Sequence, residues 1–147
     1  VTLRIPAIGV DSRLIELGLL ADGSMAVPPD GASAGWFDGA PTPGELGPAI
    51  LAGHVDWATG PGVFYDLARL VAGDEVLVTR ADGTIAVFAV TSVERYAKSQ
   101  FPTDQVYGDI DHAGLRLITC GGTWNAATHH YESNTVVYAD LIRSEQP

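Results

Sequence analysis

The sequence predicts an all-β protein built from many short strands. Its 17 glycines and 9 prolines are scattered between short apolar runs, which is typical of closely spaced turns rather than of a disordered tail. The 147 residues are 46% apolar, which is enough for a real core in one compact domain, residues 1–147. We find no internal repeat and no interdomain linker in the sequence.

The first third of the chain contains two strand patterns and an irregular connection. Residues 1–5 predict a strand that Pro6 stops, and residues 12–20 predict a strand that enters a hairpin turn and returns over residues 25–27. Residues 30–48 are rich in Gly, Pro and small side chains. We expect no regular element there, only a connection tied down by Trp36 and Phe37.

The middle of the chain predicts a buried strand, a short helix and a hairpin. Residues 49–53 form a continuous apolar run, as expected for a strand buried on both faces. Residues 63–70 place apolar side chains at helical spacing before Gly73. Residues 75–79 and 84–96 flank a turn that contains Asp82 and Gly83, and this pattern predicts a β-hairpin.

The last third predicts one helical turn and two strands. Phe101, Pro102, Thr103 and Asp104 resemble a helix cap that leads into a single turn before Gly108. Residues 115–120 predict a strand that stops at the two glycines 121 and 122, and residues 135–142 predict the last strand.

The charge balance excludes some partners. Eight Lys and Arg residues against 18 Asp and Glu residues give a formal net charge of -10, which would repel a nucleic-acid backbone. No apolar run approaches the roughly 18 to 20 residues that span a bilayer, and the first residues lack the pattern of a signal peptide. We expect a soluble domain excised from a longer chain.

The single cysteine, Cys120, is the strongest chemical signal. It closes the predicted strand 115–120, and His54 closes the predicted strand 49–53, so two strand ends would bring an imidazole to the thiol. A thiol with a reference pKa near 8.5 needs a base or a positive neighbour to be a good nucleophile at neutral pH. A small buried, inert cysteine is the alternative reading.

Three segments resemble the sortases, the cysteine transpeptidases of Gram-positive cell surfaces. Residues 117–120 (LITC) resemble the active-site strand, residues 50–56 (ILAGHVD) are similar to the catalytic-histidine segment, and residues 5–11 (IPAIGVD) are similar to the opening strand. Residues 60–64, residues 101–102 together with 106–107, and the Cys-Gly-Gly sequence at 120–122 resemble the actinobacterial branch called class F.

The resemblance implies a closed sortase-type β-barrel of about eight strands with one or two short helices. It implies that Cys120 attacks the Thr-Gly bond of an LPXTG-like sorting signal and that an amine, such as a cell-wall precursor, or water resolves the thioacyl enzyme. His54 would be the general acid and base. It implies a location on the outer face of the cell membrane, an anchor outside these residues, and no cofactor.

One part of the family pattern is missing. The resemblance implies an arginine near Glu132 or His129 that donates to the oxyanion, but no Arg follows Cys120 until Arg143. Several residues are candidates for the donor: His129, His130, Asn134, Arg95 and Arg116. By strand alternation Arg116 shares a face with Cys120, yet it lies about 13 Å back along the strand.

Other readings remain open for several polar residues. Asp56 lies two positions after His54 and is either an orienter of the imidazole or a solvated carboxylate. The pair His129 and His130 is either a solvated loop pair or a pair of ligands. Cys120 with the scattered His54 and His112 lacks the regular ligand spacing of a zinc site, so we expect no metal. The acidic residues Asp104, Asp109 and Asp111 likewise lack the spacing of a calcium loop.

Two other functions compete with transpeptidation. A degenerate sortase-type fold would bind cell-wall peptides or a surface partner without turning them over. An L,D-transpeptidase is a second cell-wall cysteine enzyme, but its cysteine usually follows Ser-His-Gly and precedes Arg. The sequence Thr119-Cys120-Gly121 does not match that pattern.

Overall fold

The computed structural model describes residues 1–18, 28, 31–57, 60–97, 100–125 and 130–146, with the side chains of 56, 57, 60, 120–125 and 130–132 outside the description. Its strands are β1 (Thr2–Ile5), β2 (Val10–Leu17), β3 (Ala34–Phe37), β4 (Gly47–Ala52), β5 (Asp56–Trp57), β6 (Gly60–Pro61), β7 (Glu75–Thr79), β8 (Ile85–Ala97), β9 (Ala113–Asn125) and β10 (His130–Glu145). Helix α1 spans Thr103–Tyr107, and 3-10 turns span Pro6–Ile8 and Leu67–Arg69.

Eight of these strands close into a barrel in the order β1, β2, β3, β4, β9, β10, β8, β7, while β5 and β6 form a separate two-stranded hairpin. The predicted all-β fold with few short helices is therefore confirmed. Most neighbouring pairs are antiparallel, but β2 with β3 and β4 with β9 run parallel. In the described part of the chain, no helix is long and apolar enough to cross a membrane.

The hairpin of β7 and β8 forms as the sequence predicts. Its apolar residues alternate along β7, so that Val76 and Val78 are fully buried. Gly83 has φ of +85°, a left-handed conformation that glycine adopts without steric cost. The Asp82 carboxylate accepts hydrogen bonds from the backbone N–H and the hydroxyl of Thr84 and so closes the turn.

The strands bury apolar residues on both sides of the barrel wall. Inside the barrel, Leu115 and Leu117 of β9 and Val137 and Ala139 of β10 join the main core. On the outer face a second, smaller cluster contains Ile50, Val106, Ile118, Val136 and Tyr138. Since alternate residues of a strand point to opposite faces, even-numbered residues of β9 and β10 lie on the outer face in this region.

Helix α1 covers part of that outer face. Its one buried residue, Val106, packs in the outer cluster, and Gly108 ends the helix by donating its backbone N–H to the Asp104 carbonyl. The predicted single turn before Gly108 is confirmed. Phe101, just before the helix, packs against the same cluster.

Three predictions about elements are wrong in part. Residues 34–37 form β3 instead of an irregular connection, because Gly35 and Trp36 pair with β2 on one side and β4 on the other. Strand β9 continues through Gly121 and Gly122 to Asn125, because it pairs with the longer β10. The predicted helix 63–70 is a turn followed by one 3-10 turn at Leu67–Arg69.

The remaining strand predictions agree with the structure where it describes them. Strands β1, β2, β4 and β10 overlap the predicted segments, although β10 extends further at both ends. The predicted return strand 25–27 lies outside the described residues.

Candidate active site

The registers of β4 and β9 bring His54 and Cys120 to the same level of the barrel. The two strands are parallel neighbours, Ala52 pairs with Ile118, and the Gly53 N–H donates to the Ile118 carbonyl at 3.2 Å. His54 and Cys120 each follow that pair by two residues. Because neighbouring strand backbones lie about 4.8 Å apart, the two positions are adjacent across the sheet.

His54 follows the end of β4 and is held through its backbone and its ring. Its carbonyl oxygen accepts a hydrogen bond from the backbone N–H of Phe64 at 3.0 Å, and Phe64 is fully buried in the barrel core. Its ring Nε2 lies 2.8 Å from the Pro28 carbonyl oxygen. The half-buried imidazole is therefore fixed against both the core and a separate segment of the chain.

Gly62 makes the close approach to His54 possible. Its N–H donates to the Val55 carbonyl at 3.0 Å, and a Cβ placed on it would lie 2.2 Å from the His54 carbonyl oxygen. No side chain fits there without moving the backbone. The turn from Gly62 to Phe64 therefore fixes the backbone position of His54.

Cys120 has a neighbour on its other side as well. On the antiparallel strand β10, Asn134 is its direct partner, and on β8 Tyr96 is in turn the partner of Asn134. The register of β9 and β10 is continuous from Cys120 back to Ile118, so the Cys120 and Asn134 positions share the outer face with Ile118 and Val136. Cys120, Asn134 and Tyr96 thus form one row across three strands.

Arg116 shares this face but lies two rows behind Cys120. It pairs with Ile50 of β4 and with Tyr138 of β10, and it is only 6% exposed. Its Cζ lies 4.7 Å from the centre of the Tyr138 ring. Burial lowers the pKa of its guanidinium because the charged form loses hydration.

The guanidinium of Arg116 extends away from Cys120. A Cβ on Gly114 would lie 3.2 Å from Arg116 Nη1, and that nitrogen donates at 3.4 Å to the Leu115 carbonyl. Gly114 and Leu115 both precede Arg116 on β9, whereas Cys120 follows it. Among the described residues Arg116 Nε has no hydrogen-bond partner and the side chain has no ion pair.

Two tyrosines and a phenylalanine form an aromatic group beside this row. The hydroxyls of Tyr96 and Tyr138 lie 3.0 Å apart and share a hydrogen bond. The Tyr96 ring contacts Phe101 edge-on, with ring centres 6.1 Å apart. Burial raises the pKa of Tyr138, so its phenol stays protonated throughout the physiological range.

Arg95 lies on the other face of the sheet. It pairs with Thr135 of β10, a buried residue next to Val136 and therefore on the inner side. Arg95 lines a shallow cavity with Ala68 and Val93. This cavity is separated from the Cys120 position by the barrel wall.

Arg143 is remote and already paired. It lies near the end of β10, on the strand whose opposite end carries Asn134. Its guanidinium forms ion pairs with Glu75, at 3.2 Å, and with Glu145, at 2.8 Å. Both carboxylates raise its pKa, with Glu145 contributing most.

Three other predicted site residues are described only in part or not at all. His129 lies outside the described residues. His130 pairs with Asn125, five residues beyond Cys120 on β9, or roughly 16 Å along the strand. Asp56 pairs with Pro61 in the β5 and β6 hairpin, and its side chain is not described, so its role as an orienter of His54 stays a prediction.

A larger cavity lies at the far end of the barrel. It has a volume of about 420 Å³ and is lined mainly by apolar residues, including Leu14, Trp36 and Val78, with Arg80 at its edge. Arg80 follows β7 where that strand turns into β8, level with the end of β10. The row of Cys120 and Asn134 is near the beginning of β10, at the opposite end.

The sequence does not predict the contacts of Gly62 and Pro28 that hold His54 in place. Gly62 stood out only as part of a Gly-Pro-Gly turn, and Pro28 only as the end of a predicted strand. The Gly-Pro-Gly sequence is a signal for a tight backbone approach. The contact between Pro28 and His54 spans 26 residues and has no local signature.

Comparison with known proteins identifies the family. The family model of the sortase domain matches residues 3–142. No curated protein matches the chain.

Several solved structures of sortases share this fold. Sortase A from Listeria monocytogenes superimposes with a TM-score of 0.74 at 18% identity, covering 99% of this chain and 88% of that one. A sortase D5 transpeptidase from Clostridium perfringens gives 0.70 at 25% identity, covering 97% and 78%. Sortase A from Corynebacterium diphtheriae, a lid mutant, gives 0.75 at 19% identity, covering 97% and 69%.

The family match spans nearly the whole chain, and the eight-stranded barrel is the one that these sortase structures share. The chain therefore belongs to the sortase family of cysteine transpeptidases.

Proposed function

We propose that this chain cleaves an LPXTG-like sorting signal with Cys120 as the nucleophile and His54 as the general acid and base. The observation that supports the proposal is the register of the parallel strands β4 and β9, in which Ala52 pairs with Ile118 and each of the two residues follows that pair by two positions. The resemblance of residues 60–64, 101–102 and 106–107 supports placement in the actinobacterial class F branch. We propose that the enzyme acts at the cell surface.

The first half of the reaction forms a thioester. The Cys120 thiol gives its proton to His54 as its sulfur attacks the threonine carbonyl of the Thr-Gly bond, and the carbonyl oxygen takes up the negative charge. When the tetrahedral intermediate collapses, the C–N bond breaks and the glycine amine leaves with a proton from His54. The acyl group remains on the sulfur, and His54 is neutral.

The second half transfers the acyl group. An amine attacks the thioester carbonyl and gives its proton to His54, and the C–S bond breaks to release the thiolate. Water in place of the amine gives hydrolysis. The amine acceptor that we propose is a cell-wall precursor, because sortases act on surface proteins and amine acceptors in general.

The fixed position of His54 supports this role. A general acid and base has to lie within hydrogen-bond reach of the proton that it transfers, and the supports at Phe64, Gly62 and Pro28 hold the imidazole in place. His54 is half-buried, so part of the residue remains exposed to solvent.

One observation favours a second candidate function. The described strand β10 carries no arginine near Cys120, and Arg143 at its far end is held by two glutamates. A sortase without a strong oxyanion donor would bind sorting peptides and turn them over slowly or not at all. The alternative is therefore a sortase-fold module that binds cell-wall peptides or a surface partner.

Intact-protein mass spectrometry separates the two. The wild type is incubated with a panel of LPXTG-like peptides and a soluble amine, beside Cys120→Ala and His54→Ala. A thioacyl adduct or an amine-linked product from the wild type alone supports the transpeptidase. A folded wild type whose thiol reacts with iodoacetamide but that gives no adduct and no product with any peptide would overturn it in favour of the binding module.

A further inference from the structure

We infer that the side-chain amide of Asn134 is the oxyanion donor of this sortase, in the role that an arginine has in the family pattern. The inference rests on the proposed function of Cys120. It starts from the register: Asn134 of β10 is the direct cross-strand partner of Cys120 of β9, and both positions lie on the outer face.

The register brings the amide to the reacting carbonyl. Directly opposed residues of an antiparallel pair have Cβ atoms about 4.5 to 5.5 Å apart. A carbonyl carbon that bonds to the Cys120 sulfur therefore lies next to the Asn134 side chain. A short amide on the partner strand reaches this point, whereas a donor on another row needs a long side chain.

The described side chains leave the Asn134 amide available. Asn134 is half-buried, and no hydrogen bond joins its side chain to another described residue. Its –NH₂ group has two N–H donors. Its neighbour in the row, Tyr96, already shares its hydroxyl with Tyr138. Unpaired among the described residues, Asn134 lies on the outer face at the position opposite Cys120.

The cationic candidates for the oxyanion donor lie too far from Cys120 or on the opposite face of the sheet. Arg116 lies two rows back, and its guanidinium extends over Gly114, away from Cys120. Arg95 is on the inner face of the sheet. His130 pairs with Asn125, well beyond Cys120 along β9. Of the described candidates, Asn134 alone shares both the row and the face of Cys120.

The chemistry requires hydrogen bonding and no proton transfer. As the S–C bond forms, the carbonyl oxygen becomes an oxyanion, and the amide N–H donates to it while keeping its proton. The leaving amine takes its proton from His54. A neutral amide donates a weaker hydrogen bond than a guanidinium does, since charge-assisted hydrogen bonds are roughly twice as strong. We therefore expect a functional but slow sortase.

The test is the single-turnover rate of acylation by an LPXTG-like peptide that gives an adduct with the wild type. Asn134→Asp keeps the shape, removes both donors and adds a negative charge, and Asn134→Ala removes the amide. We expect a loss of about 100- to 1000-fold for Asn134→Ala and a larger loss for Asn134→Asp. The reduction should fall on the acylation rate at saturating peptide, with little change in peptide affinity.

Two controls separate this role from a structural one. Arg95→Ala and Arg116→Met should acylate at close to the wild-type rate. The rate of Cys120 alkylation by iodoacetamide, a reaction that forms no oxyanion, should be unchanged in Asn134→Ala.

Acylation of Asn134→Ala within threefold of the wild-type rate overturns the inference and leaves the proposed function intact. An equal loss of alkylation and acylation overturns it too, because Asn134 would then act on the thiol or the fold. A wild type that forms no adduct refutes the proposed function itself, and the inference falls with it.

Discussion

The ring nitrogen Nε2 of His54 donates a hydrogen bond to the carbonyl oxygen of Pro28, 2.8 Å away. A backbone carbonyl only accepts hydrogen bonds, so Nε2 carries a proton in both the neutral and the cationic ring. In neutral His54 the lone pair is therefore on Nδ1. In the proposed mechanism, Nδ1 is therefore the nitrogen that would accept the proton.

We predict that neutral His54 is the Nε2–H tautomer. Long-range proton–nitrogen NMR correlations of ¹⁵N-labelled protein, recorded at a pH where the ring is neutral, distinguish the two nitrogens. Assignment by comparison with His54→Ala identifies the resonance. An Nδ1–H tautomer, or an even mixture of the two, would contradict the prediction.

Substitution of Gly62 should impair catalysis by moving His54. The Cβ of Gly62→Ala would lie 2.2 Å from the His54 carbonyl oxygen, so the backbone has to shift. Because a displacement of about 1 Å in a catalytic group can cost about 100-fold in rate, we expect acylation to fall by 10- to 100-fold. The rate is measured with a peptide that acylates the wild type.

Gly18→Ala is the matched control for this substitution. Among the described residues, a Cβ on Gly18 would meet only the Asp38 carboxylate, at 3.8 Å, which is an ordinary contact. We expect wild-type acylation and an unchanged melting temperature. If Gly62→Ala acylates as fast as Gly18→Ala, the turn does not position the histidine.

The sequence predicts the parts of the fold that depend on local pattern. The β7 and β8 hairpin follows from alternating apolar residues around a turn with Asp82 and Gly83, and α1 lies where the sequence has Pro102 before it and Gly108 after it. Strand β3 is different. Its four residues, Ala34–Phe37, have no strand pattern of their own and are ordered by pairing with β2 and β4.

In the candidate site, too, the local sequence predicts some residues and not others. His54 follows one apolar run and Cys120 closes another, so the local sequence identifies both, and the family resemblance links them. Which residue lies opposite Cys120 depends on the register between β9 and β10. These two long strands have a bulge between Tyr131 and Ser133, so composition does not predict their register. The sequence therefore leaves five candidates where the backbone favours Asn134.

Replacement of Arg116 should not destabilise the protein. Its guanidinium is buried, and among the described residues Nε has no hydrogen-bond partner and the side chain no ion pair. A cation–π contact with the Tyr138 ring offsets about 2 kcal/mol of the free-energy cost of burying the Arg116 charge. Since apolar replacement of a buried charge is often neutral or stabilising, we expect Arg116→Met to change the free energy of unfolding by about 1 kcal/mol or less, or to raise it.

Urea unfolding of Arg116→Met tests this, with Arg4→Met as a control at an exposed position of β1. The control should leave the unfolding free energy unchanged. A loss of more than about 3 kcal/mol, the cost of breaking a buried pair, would show that Arg116 has an essential partner. A tenfold loss of acylation would mean that Arg116 also acts on the substrate.

His112 should titrate above the usual range for histidine. It lies just before β9, and its ring nitrogens bond to the Asp111 carboxylate at 2.9 Å and the Asp140 carboxylate at 2.7 Å. Both carboxylates raise its pKa above 6.5, Asp111 most. The protonated ring therefore links the start of β9 to β10, so its stabilising effect is complete below about pH 6.5 and is lost as pH rises through the folded-state pKa.

Proton NMR titration of the His112 ring measures this pKa directly. Asp140→Asn should lower it, while Asp111 keeps it above that of an unpaired histidine, and Asp104→Asn on α1 should leave it unchanged. Thermal unfolding at pH 5.5 and pH 8 should show a larger drop with pH in the wild type than in Asp140→Asn. The difference is small because these side chains are largely exposed and screened by solvent. A His112 pKa at or below 6.5, or one that Asp140→Asn does not lower, would show that the pair does not persist in solution.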